Sequence, residues 1–173
     1  MTRGAGERPV VLVGAPGAGK STVGRRLARR WGVDFHDSDQ LVETVAGKTV
    51  ADIFVDDGEP AFRSLERDAI AQALETTSGV LALGGGAVLD AATRERLAAS
   101  PVVWLRVGVP EATRRVGLNA SRPLLLGNVR GTLITLLDQR TPLYDEVATW
   151  TVDTDGLTID EVVDRVAAAV GPS

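Results

Sequence analysis

Short apolar segments alternate along the chain with longer segments in which apolar residues recur every three or four positions. The short segments are rich in β-branched residues and predict strands, which span residues 9–13, 33–36, 80–83, 102–105 and 149–152. The longer segments predict helices, which span residues 19–31, 41–53 with an interruption at Gly47, 60–76, 91–99, 110–115, 132–140 and 158–170. Asp90 is placed to cap the helix that follows it, and Pro110 is placed at the first position of another. This alternation is typical of an α/β protein in which helices cover both faces of an open, mostly parallel sheet.

Residues 117–131 do not follow either pattern. They combine Asn, Ser, Arg, Pro and Gly with the apolar segment 124–126. A stretch of this length between regular elements is typical of a functional loop, so we predict a mobile excursion from the core.

The composition limits the classes of protein that the chain can belong to. Its 173 residues suffice for one domain, 1–173, and the net charge of −4 argues against a nucleic-acid partner. The absence of cysteine excludes disulfides, thiolate zinc sites and cysteine nucleophiles. The polar start of the chain does not resemble a signal peptide, and no apolar segment approaches the roughly 20 residues that cross a membrane. We therefore expect a soluble cytoplasmic protein without a membrane partner.

The segment Gly-Ala-Pro-Gly-Ala-Gly-Lys-Ser, residues 14–21, matches the P-loop pattern between a predicted strand and a predicted helix. Glycines let successive backbone N–H groups surround phosphate oxygens, and the helix N-terminus adds its positive dipole. Lys20 would neutralise phosphate charge, and the Ser21 hydroxyl would bind Mg²⁺. A chance glycine-rich turn is the alternative, which the strand–helix context disfavours. The predicted nucleotide-binding residues are Gly17, Ala18, Gly19, Lys20, Ser21 and Thr22.

Other P-loop proteins carry motifs that this chain lacks. A GTPase would have an N-K-x-D motif, which is absent, and the only D-x-x-G lies near the C-terminus, at residues 153–156. A motor or transport ATPase would be larger and would end a buried strand in Asp, whereas the third predicted strand ends in glycines. Of the classes of P-loop protein considered, a compact kinase that phosphorylates a small molecule remains.

Asp37 and Asp39 follow the second predicted strand, at the sheet edge that carries the P-loop. One carboxylate can support Mg²⁺, and the other can orient an acceptor hydroxyl and take its proton. If the strand continued, both would point the same way; capping of a helix by Asp39 is the alternative. His36, the only histidine, is interpreted as a half-buried strand residue without a catalytic role.

Three arginines are candidates for binding an anion, because guanidinium groups grip carboxylates and phosphates. For Arg63 the alternative is a surface pair with Glu59, and for Arg140 it is a favourable cation at a helix C-terminus. Arg122 lies in the predicted excursion. Three successive glycines, residues 84–86, either form a tight turn or bring the backbone close to a ligand.

Taken together, these motifs resemble the shikimate kinase family from residue 11 to about residue 152. The matching segments are G-A-P-G-A-G-K-S at 14–21, H-D-S-D at 36–39, F-R-S-L-E at 62–66, L-G-G-G-A at 83–87, S-R-P-L-L at 121–125 and R-T-P-L-Y at 140–144. The resemblance implies a P-loop, nucleoside-monophosphate-kinase-like three-layer sandwich. Its five-stranded parallel sheet would carry substrate-binding helices at about 37–76 and a mobile lid at about 116–130.

The resemblance also implies a reaction. Mg²⁺-ATP would phosphorylate the 3-hydroxyl of shikimate, on the route to chorismate and the aromatic amino acids. The implied partners are shikimate and ATP, and we expect a monomer.

The resemblance implies roles for individual residues. Catalytic roles fall on Lys20, Asp39 and Arg122, which as the lid arginine would swing onto the ATP phosphates. Arg115 would stack against adenine, and Ser21 and Asp37 would hold Mg²⁺, the latter through water. The substrate-binding residues would be Asp39, Arg63, Gly84, Gly85, Gly86 and Arg140, with Glu66 holding Arg63 in place.

Two departures from the family pattern concern the lid and the base site. Leu118 stands where the family often has a second lid glycine, and residues 155–157 stand where it often has an arginine near the adenine. Neither departure changes a residue that the resemblance assigns to phosphoryl transfer. A gluconate-type or nucleoside monophosphate kinase is the second hypothesis, and a nucleotide-binding regulatory domain is the third.

Overall fold

A five-stranded parallel sheet forms the centre of the computed structural model, which describes residues 7–117 and 128–171. The strands are Val10–Val13 (β1), Phe35–Asp37 (β2), Val80–Ala82 (β3), Val102–Arg106 (β4) and Trp150–Asp153 (β5). Their order across the sheet is β2-β3-β1-β4-β5, and every pairing is parallel. The chain therefore reverses direction across the sheet next to β1, and the crevice beside such a reversal is where ligands of α/β proteins bind.

The helices of the described residues cover both faces of this sheet. They are Lys20–Trp31 (α1), Ser38–Ala46 (α2), Val50–Asp56 (α3), Glu59–Thr76 (α4), Ala91–Leu97 (α5), Val109–Gly117 (α6), Val129–Val147 (α7) and Ile159–Val170 (α8), with a short 3₁₀ helix at Ala87–Leu89. Alternate residues of β1 point to opposite faces of the sheet. Val10 and Leu12 pack with α1 and α8 on one face, whereas Val11 and Val13 pack with α4 and α5 on the other. The alternation follows from the two-residue period of a strand.

A third, smaller core lies at the β2 end of the molecule. Val42 of α2, Ile53 of α3 and Phe62 of α4 pack together there, apart from the two cores that cover the sheet. This cluster holds α2 and α3 against α4, next to the carboxyl end of the sheet.

The predicted α/β sandwich with five parallel strands is confirmed, as are the cap of α5 by Asp90 and the half-buried position of His36 in β2. Several predicted boundaries are wrong. The helix predicted at 41–53 is two helices, and the first begins at Ser38, because the Asp37 side chain caps it. Pro110 is the second residue of α6, which begins at Val109.

The largest difference from the predicted elements is α7, which runs from Val129 to Val147 instead of from 132 to 140. Pro142 favours a helix end, but the helix continues through it, because buried residues on both sides, Leu133 and Tyr144, anchor α7 to the sheet. Residues 129–131 are therefore helical, contrary to the predicted excursion. The remainder of that excursion, 118–127, lies outside the described residues. No described helix is both long and apolar enough to cross a membrane.

Candidate active site

The P-loop connects β1 to α1 and encloses the Lys20 ammonium. Gly19 precedes α1 with a φ of 88°, a left-handed conformation that side chains disfavour. Gly14 leaves no room for a side chain either, since a Cβ atom there would lie 2.6 Å from the Leu105 carbonyl oxygen. Lys20 is buried, and its Nζ donates to the carbonyl oxygens of Gly14 at 2.6 Å and Ala15 at 3.0 Å. The loop thus holds a compact cation at the point where phosphates would bind.

Ser21 and Asp37 are joined across the edge of the sheet. The Ser21 hydroxyl donates to Asp37 Oδ2 at 2.6 Å, and Asp37 Oδ1 accepts a bond from the Asp39 backbone N–H at 2.9 Å. Asp37 therefore caps α2 and faces the P-loop at the same time. A hydroxyl oxygen and a carboxylate oxygen are suitable ligands for Mg²⁺. This ion takes few ligands from the protein and completes its coordination shell with water and phosphate oxygens. Among the described residues, no group of three His, Asp or Glu side chains is arranged to hold a metal ion.

A cleft of about 470 Å³ opens above the P-loop. Five segments of the chain contribute to it, all at or near the carboxyl edge of the sheet. The lining residues are Gly17, Gly19, Lys20, Ser21, Thr22, Asp37, Asp39, Leu83, Gly84, Gly85, Glu111, Arg114, Arg115, Leu157, Thr158 and Ile159. The structure therefore brings the P-loop, both aspartates and the first two glycines of the triplet into one cavity.

Arg115 closes one side of this cleft. Its Nη1 donates to the Gly17 carbonyl oxygen at 3.0 Å, and its Nε donates to Glu111 at 3.0 Å. Glu111 also accepts from Arg114, and the hydrogen bonds from these two arginines lower its pKa to about 2. The Ile159 side chain lies beside Gly19 on the same side of the cleft. A planar guanidinium and an apolar side chain thus flank the outer end of the cavity.

The glycine segment Gly84–Gly86 is closely packed, and its first and last residues lie against charged side chains. A Cβ atom on Gly84 would lie 2.9 Å from Asp39 Oδ1 and 3.0 Å from Glu66 Oε2. A Cβ atom on Gly86 would lie 2.6 Å from the Arg63 Cζ atom. The triplet is therefore more than a tight turn, because any side chain there would displace these acidic and basic groups.

Arg63 is held by two acids of its own helix. Its Nη1 donates to Glu66 Oε1 at 2.8 Å, and its Nε lies 3.4 Å from Glu59 Oε1. Glu66 is buried, and its burial raises the pKa of this carboxyl, although Arg63 acts in the opposite direction. The predicted pairing of Arg63 with Glu59 exists, but the closer and better buried partner is Glu66.

Arg140 is a buried cation. Only 4% of the residue is exposed, and its Nη1 would lie 3.4 Å from a Cβ atom on Gly85. Among the described residues, neither Arg140 Nε nor Glu66 Oε2 has a hydrogen-bond partner. Burying charged groups with unsatisfied atoms is costly, and such atoms in native structures point to a missing ligand or to bound water.

Three sequence-based alternatives are wrong. The strand does not continue to Asp39, which lies in the first turn of α2, and the residue that caps this helix is Asp37. Arg140 lies inside α7, seven residues before its end, so it is not a cation at a helix C-terminus.

The remaining predicted residues fall into three groups. Ala18 is buried within the P-loop. Arg63, Arg140 and Gly86, the last residue of the glycine segment, lie just behind the cleft lining. Arg122 lies outside the described residues.

Sequence reasoning missed four residues. Ser38 accepts a bond from the Gly84 N–H at 2.9 Å, and Tyr144 donates to the Gly85 carbonyl oxygen at 2.5 Å. Glu111 holds Arg115, and Ile159 borders the outer cleft. Glu111 had a local signal, its spacing of four residues from Arg115 on one helix, whereas Ser38 and Tyr144 stood in quoted motifs that gave them no role. The contacts of the others span between 46 and 140 residues of sequence, which no local pattern reveals.

The chain is similar to known proteins over nearly its whole length. The family model described as shikimate kinase matches residues 16–170. A shikimate kinase from Frankia casuarinae is 61% identical over 94% of this chain and 72% of its own length. A shikimate kinase from Saccharopolyspora erythraea is 56% identical over 92% of each protein. The structure of the Acinetobacter baumannii shikimate kinase in complex with shikimate superposes with a TM-score of 0.91 at 37% identity. That superposition covers 95% of this chain and 93% of the other.

These similarities agree with the motifs quoted from the sequence and with the position of the cleft. The match includes most of the P-loop, both aspartates, the glycine segment and the arginines of α4, α6 and α7. The chain therefore belongs to the shikimate kinase family.

Proposed function

We propose that this chain transfers the γ-phosphoryl group of Mg²⁺-ATP to the 3-hydroxyl of shikimate and releases shikimate 3-phosphate and ADP. The observation that carries the proposal is the placement of two anion-binding arginines, Arg63 and Arg140, around a glycine segment that lines the P-loop cleft. Shikimate carries one carboxylate and three ring hydroxyls. An acceptor of this kind needs cations for its carboxylate and polar backbone or carboxylate groups for its hydroxyls.

The nucleotide would occupy the P-loop side of the cleft. Backbone N–H groups of residues 17–22 would surround its phosphates, and Lys20 would exchange its bonds to the Gly14 and Ala15 carbonyls for phosphate oxygens. Arg115, which borders the outer cleft next to Ile159, would lie against the base. We assign Arg122 to the lid, where it would reach the phosphates and help exclude water.

The magnesium ion would be held by Ser21 directly and by Asp37 through water. Mg²⁺ would neutralise charge on the phosphate oxygens. Support for this assignment comes from the 2.6 Å hydrogen bond between the two side chains, which places both oxygens beside the P-loop.

The acceptor would lie between the glycine segment and α4. Arg63 and Arg140 would bind its carboxylate, and the backbone of Gly84–Gly86 would contact ring hydroxyls. Asp39 lines the same cleft. Its carboxylate would accept the proton of the 3-hydroxyl while the oxygen of that hydroxyl attacks the γ-phosphorus. The bond from the γ-phosphorus to the bridging oxygen breaks, and ADP leaves with that oxygen. Glu66 would hold the Arg63 guanidinium in the required orientation.

An assay of ADP release with purified protein, Mg²⁺, ATP and shikimate tests this function. We expect one ADP and one shikimate 3-phosphate per turnover, and no turnover without shikimate. Absence of a phosphorylated product would contradict the proposal. The single-domain organisation, the monomeric state and the cytoplasmic location stay predictions from the sequence.

A further inference from the structure

Tyr144 is the last residue of the motif R-T-P-L-Y, and the proposed function gives it no role. Only 1% of this tyrosine is exposed, and its hydroxyl donates to the Gly85 carbonyl oxygen at 2.5 Å. Its ring packs against Trp104 of β4, with ring centroids 5.8 Å apart. Phenylalanine would pack against Trp104 as well and would not require a buried hydroxyl to find a partner, so the hydroxyl and its contact 59 residues away call for an explanation.

The hydrogen bond fixes the orientation of a peptide group in the substrate-binding segment. In a trans peptide the C=O and N–H groups point in opposite directions, and no cis peptide bond occurs among the described residues. Because the Gly85 carbonyl points to Tyr144 in the core, the Gly86 N–H must point the other way. The preceding part of the segment is also held, since the Gly84 N–H donates to the buried Ser38 hydroxyl at 2.9 Å.

The segment fixed in this way also separates the two arginines. Gly85 lies against the Arg140 guanidinium, and Gly86 lies against the Arg63 guanidinium. Tyr144 follows Arg140 by four residues on α7, so both side chains leave the same face of that helix. One helix face therefore supplies a guanidinium and also holds the backbone against which that guanidinium packs.

We propose that Tyr144 is a positioning residue for the acceptor: its hydroxyl fixes the Gly85–Gly86 peptide, and with it the spacing between Arg63 and Arg140. This inference rests on the proposed function, because it assumes that the acceptor binds at the glycine segment. The burial that surrounds Tyr144 raises its pKa to about 12, so the hydroxyl keeps its proton and remains a donor at neutral pH.

Tyr144→Phe removes the hydroxyl and leaves the ring. Loss of the bond frees a backbone carbonyl and relaxes the segment, so we expect KM for shikimate to rise about fivefold to tenfold. The Kd for shikimate without nucleotide, from calorimetry, should rise in parallel. KM for ATP and kcat should stay within about twofold, because Tyr144 is not among the residues that line the cleft above the P-loop. A purely structural role would not separate the two substrates in this way.

Trp104→Phe is the matched control, because it disturbs the packing of Tyr144 and keeps the hydroxyl. It should lower the melting temperature and leave KM for shikimate unchanged. Ser38→Ala, which frees the Gly84 end of the segment, should raise KM for shikimate and provides a second variant should Tyr144→Phe fold poorly.

Three results would overturn the inference. They are an unchanged KM and Kd for shikimate in an active Tyr144→Phe enzyme, an equal rise of KM for ATP, and an equal rise of KM for shikimate in Trp104→Phe. A wild-type chain without activity on shikimate would overturn the proposed function as well. That result is distinguishable, because the wild type is measured first.

Discussion

The Ser21 hydroxyl donates to Asp37 Oδ2 at 2.6 Å, which joins the start of α1 to the end of β2. The two residues lie 16 positions apart in sequence, and parallel pairing of β2 with β3 and of β3 with β1 brings them to one edge of the sheet. Asp37 also caps α2, the helix that carries Asp39. A single carboxylate thus connects the proposed metal position with the proposed acceptor base.

Asp37→Asn should weaken the metal position. The substitution keeps a hydrogen-bonding side chain beside Ser21 but removes the negative charge that favours Mg²⁺. We expect a rise of at least about threefold in the Mg²⁺ concentration that gives half-maximal activity, measured at fixed ATP, together with a lower kcat. Asp52→Asn, at an exposed position of α3, is the control and should leave the Mg²⁺ dependence unchanged. Identical Mg²⁺ titrations for Asp37→Asn and wild type would exclude this role.

Arg140→Lys should impair binding of the acceptor more than binding of ATP. Lysine keeps the charge but cannot form two parallel hydrogen bonds to a carboxylate, so KM for shikimate should rise about tenfold or more. Arg140→Ala should raise it further. Arg26→Ala, at an exposed pair with Asp160, serves as the control and should leave both KM values unchanged. If KM for ATP rose instead, the assignment of Arg140 to the carboxylate would be wrong.

Glu66 should make stability depend on pH. Burial raises the pKa of this carboxyl in the folded state above its ordinary value of 4.5, so above pH 4.5 the folded protein binds more protons at this site than the unfolded chain. The contribution of Glu66 to stability is therefore lost as pH rises through its folded-state pKa. Glu66→Gln removes this dependence.

Urea unfolding of wild type and Glu66→Gln from pH 4.5 to pH 7.5 measures the effect. The free energy of unfolding of Glu66→Gln, relative to wild type, should increase as pH rises. KM for shikimate should also rise in this variant, because Arg63 loses its charged partner. Glu95→Gln, at an exposed position of α5, should give a curve parallel to wild type. A parallel curve for Glu66→Gln would show that its carboxyl is not perturbed.

Asp155 ties the two loops at the outer end of the cleft. Its carboxylate accepts from the Gly108 N–H at 3.1 Å, which connects the segment before α8 to the start of α6, the helix of Glu111 and Arg115. Asp155→Ala should free these loops and raise KM for ATP about threefold, with little change in kcat. Asp164→Ala removes another exposed acid, one that pairs with Arg30, and should have no effect on KM. An unchanged KM for ATP in Asp155→Ala would contradict the proposed tie.

The fold was largely predictable because its signals are local. Short β-branched segments identified all five strands, and the helix predicted from residue 19 begins one residue later, at Lys20. The end of α7 was not predictable. Pro142 favours a helix end, and only burial of Tyr144 against the sheet explains why the helix continues.

The candidate site was predictable in its residues but not in its geometry. Asp37 and Asp39 were identified from their position after a strand. Their separate roles depend on a helix cap at Asp37, two residues before the cap at Asp39 that the sequence offered as an alternative. Ser38 and Tyr144 belong to quoted motifs, but their contacts with the glycine segment were not predictable, because 46 and 59 residues of sequence separate the partners. Burial of Arg140 likewise follows from tertiary packing.

Selectivity for the acceptor is tested most directly by one assay of ADP release with shikimate, gluconate and AMP as competing candidates. The wild-type chain should show a kcat/KM for shikimate at least about a hundredfold above that for the other two. Gluconate carries a carboxylate but is an open chain without the ring that fixes the hydroxyls of shikimate, and AMP carries a phosphate and a base in place of a carboxylate on a small ring. Lys20→Ala should abolish turnover with shikimate, since a counter-charge to the transferring phosphoryl group is lost. Preference for gluconate or AMP, or undiminished activity of Lys20→Ala, would contradict phosphorylation of shikimate at this site.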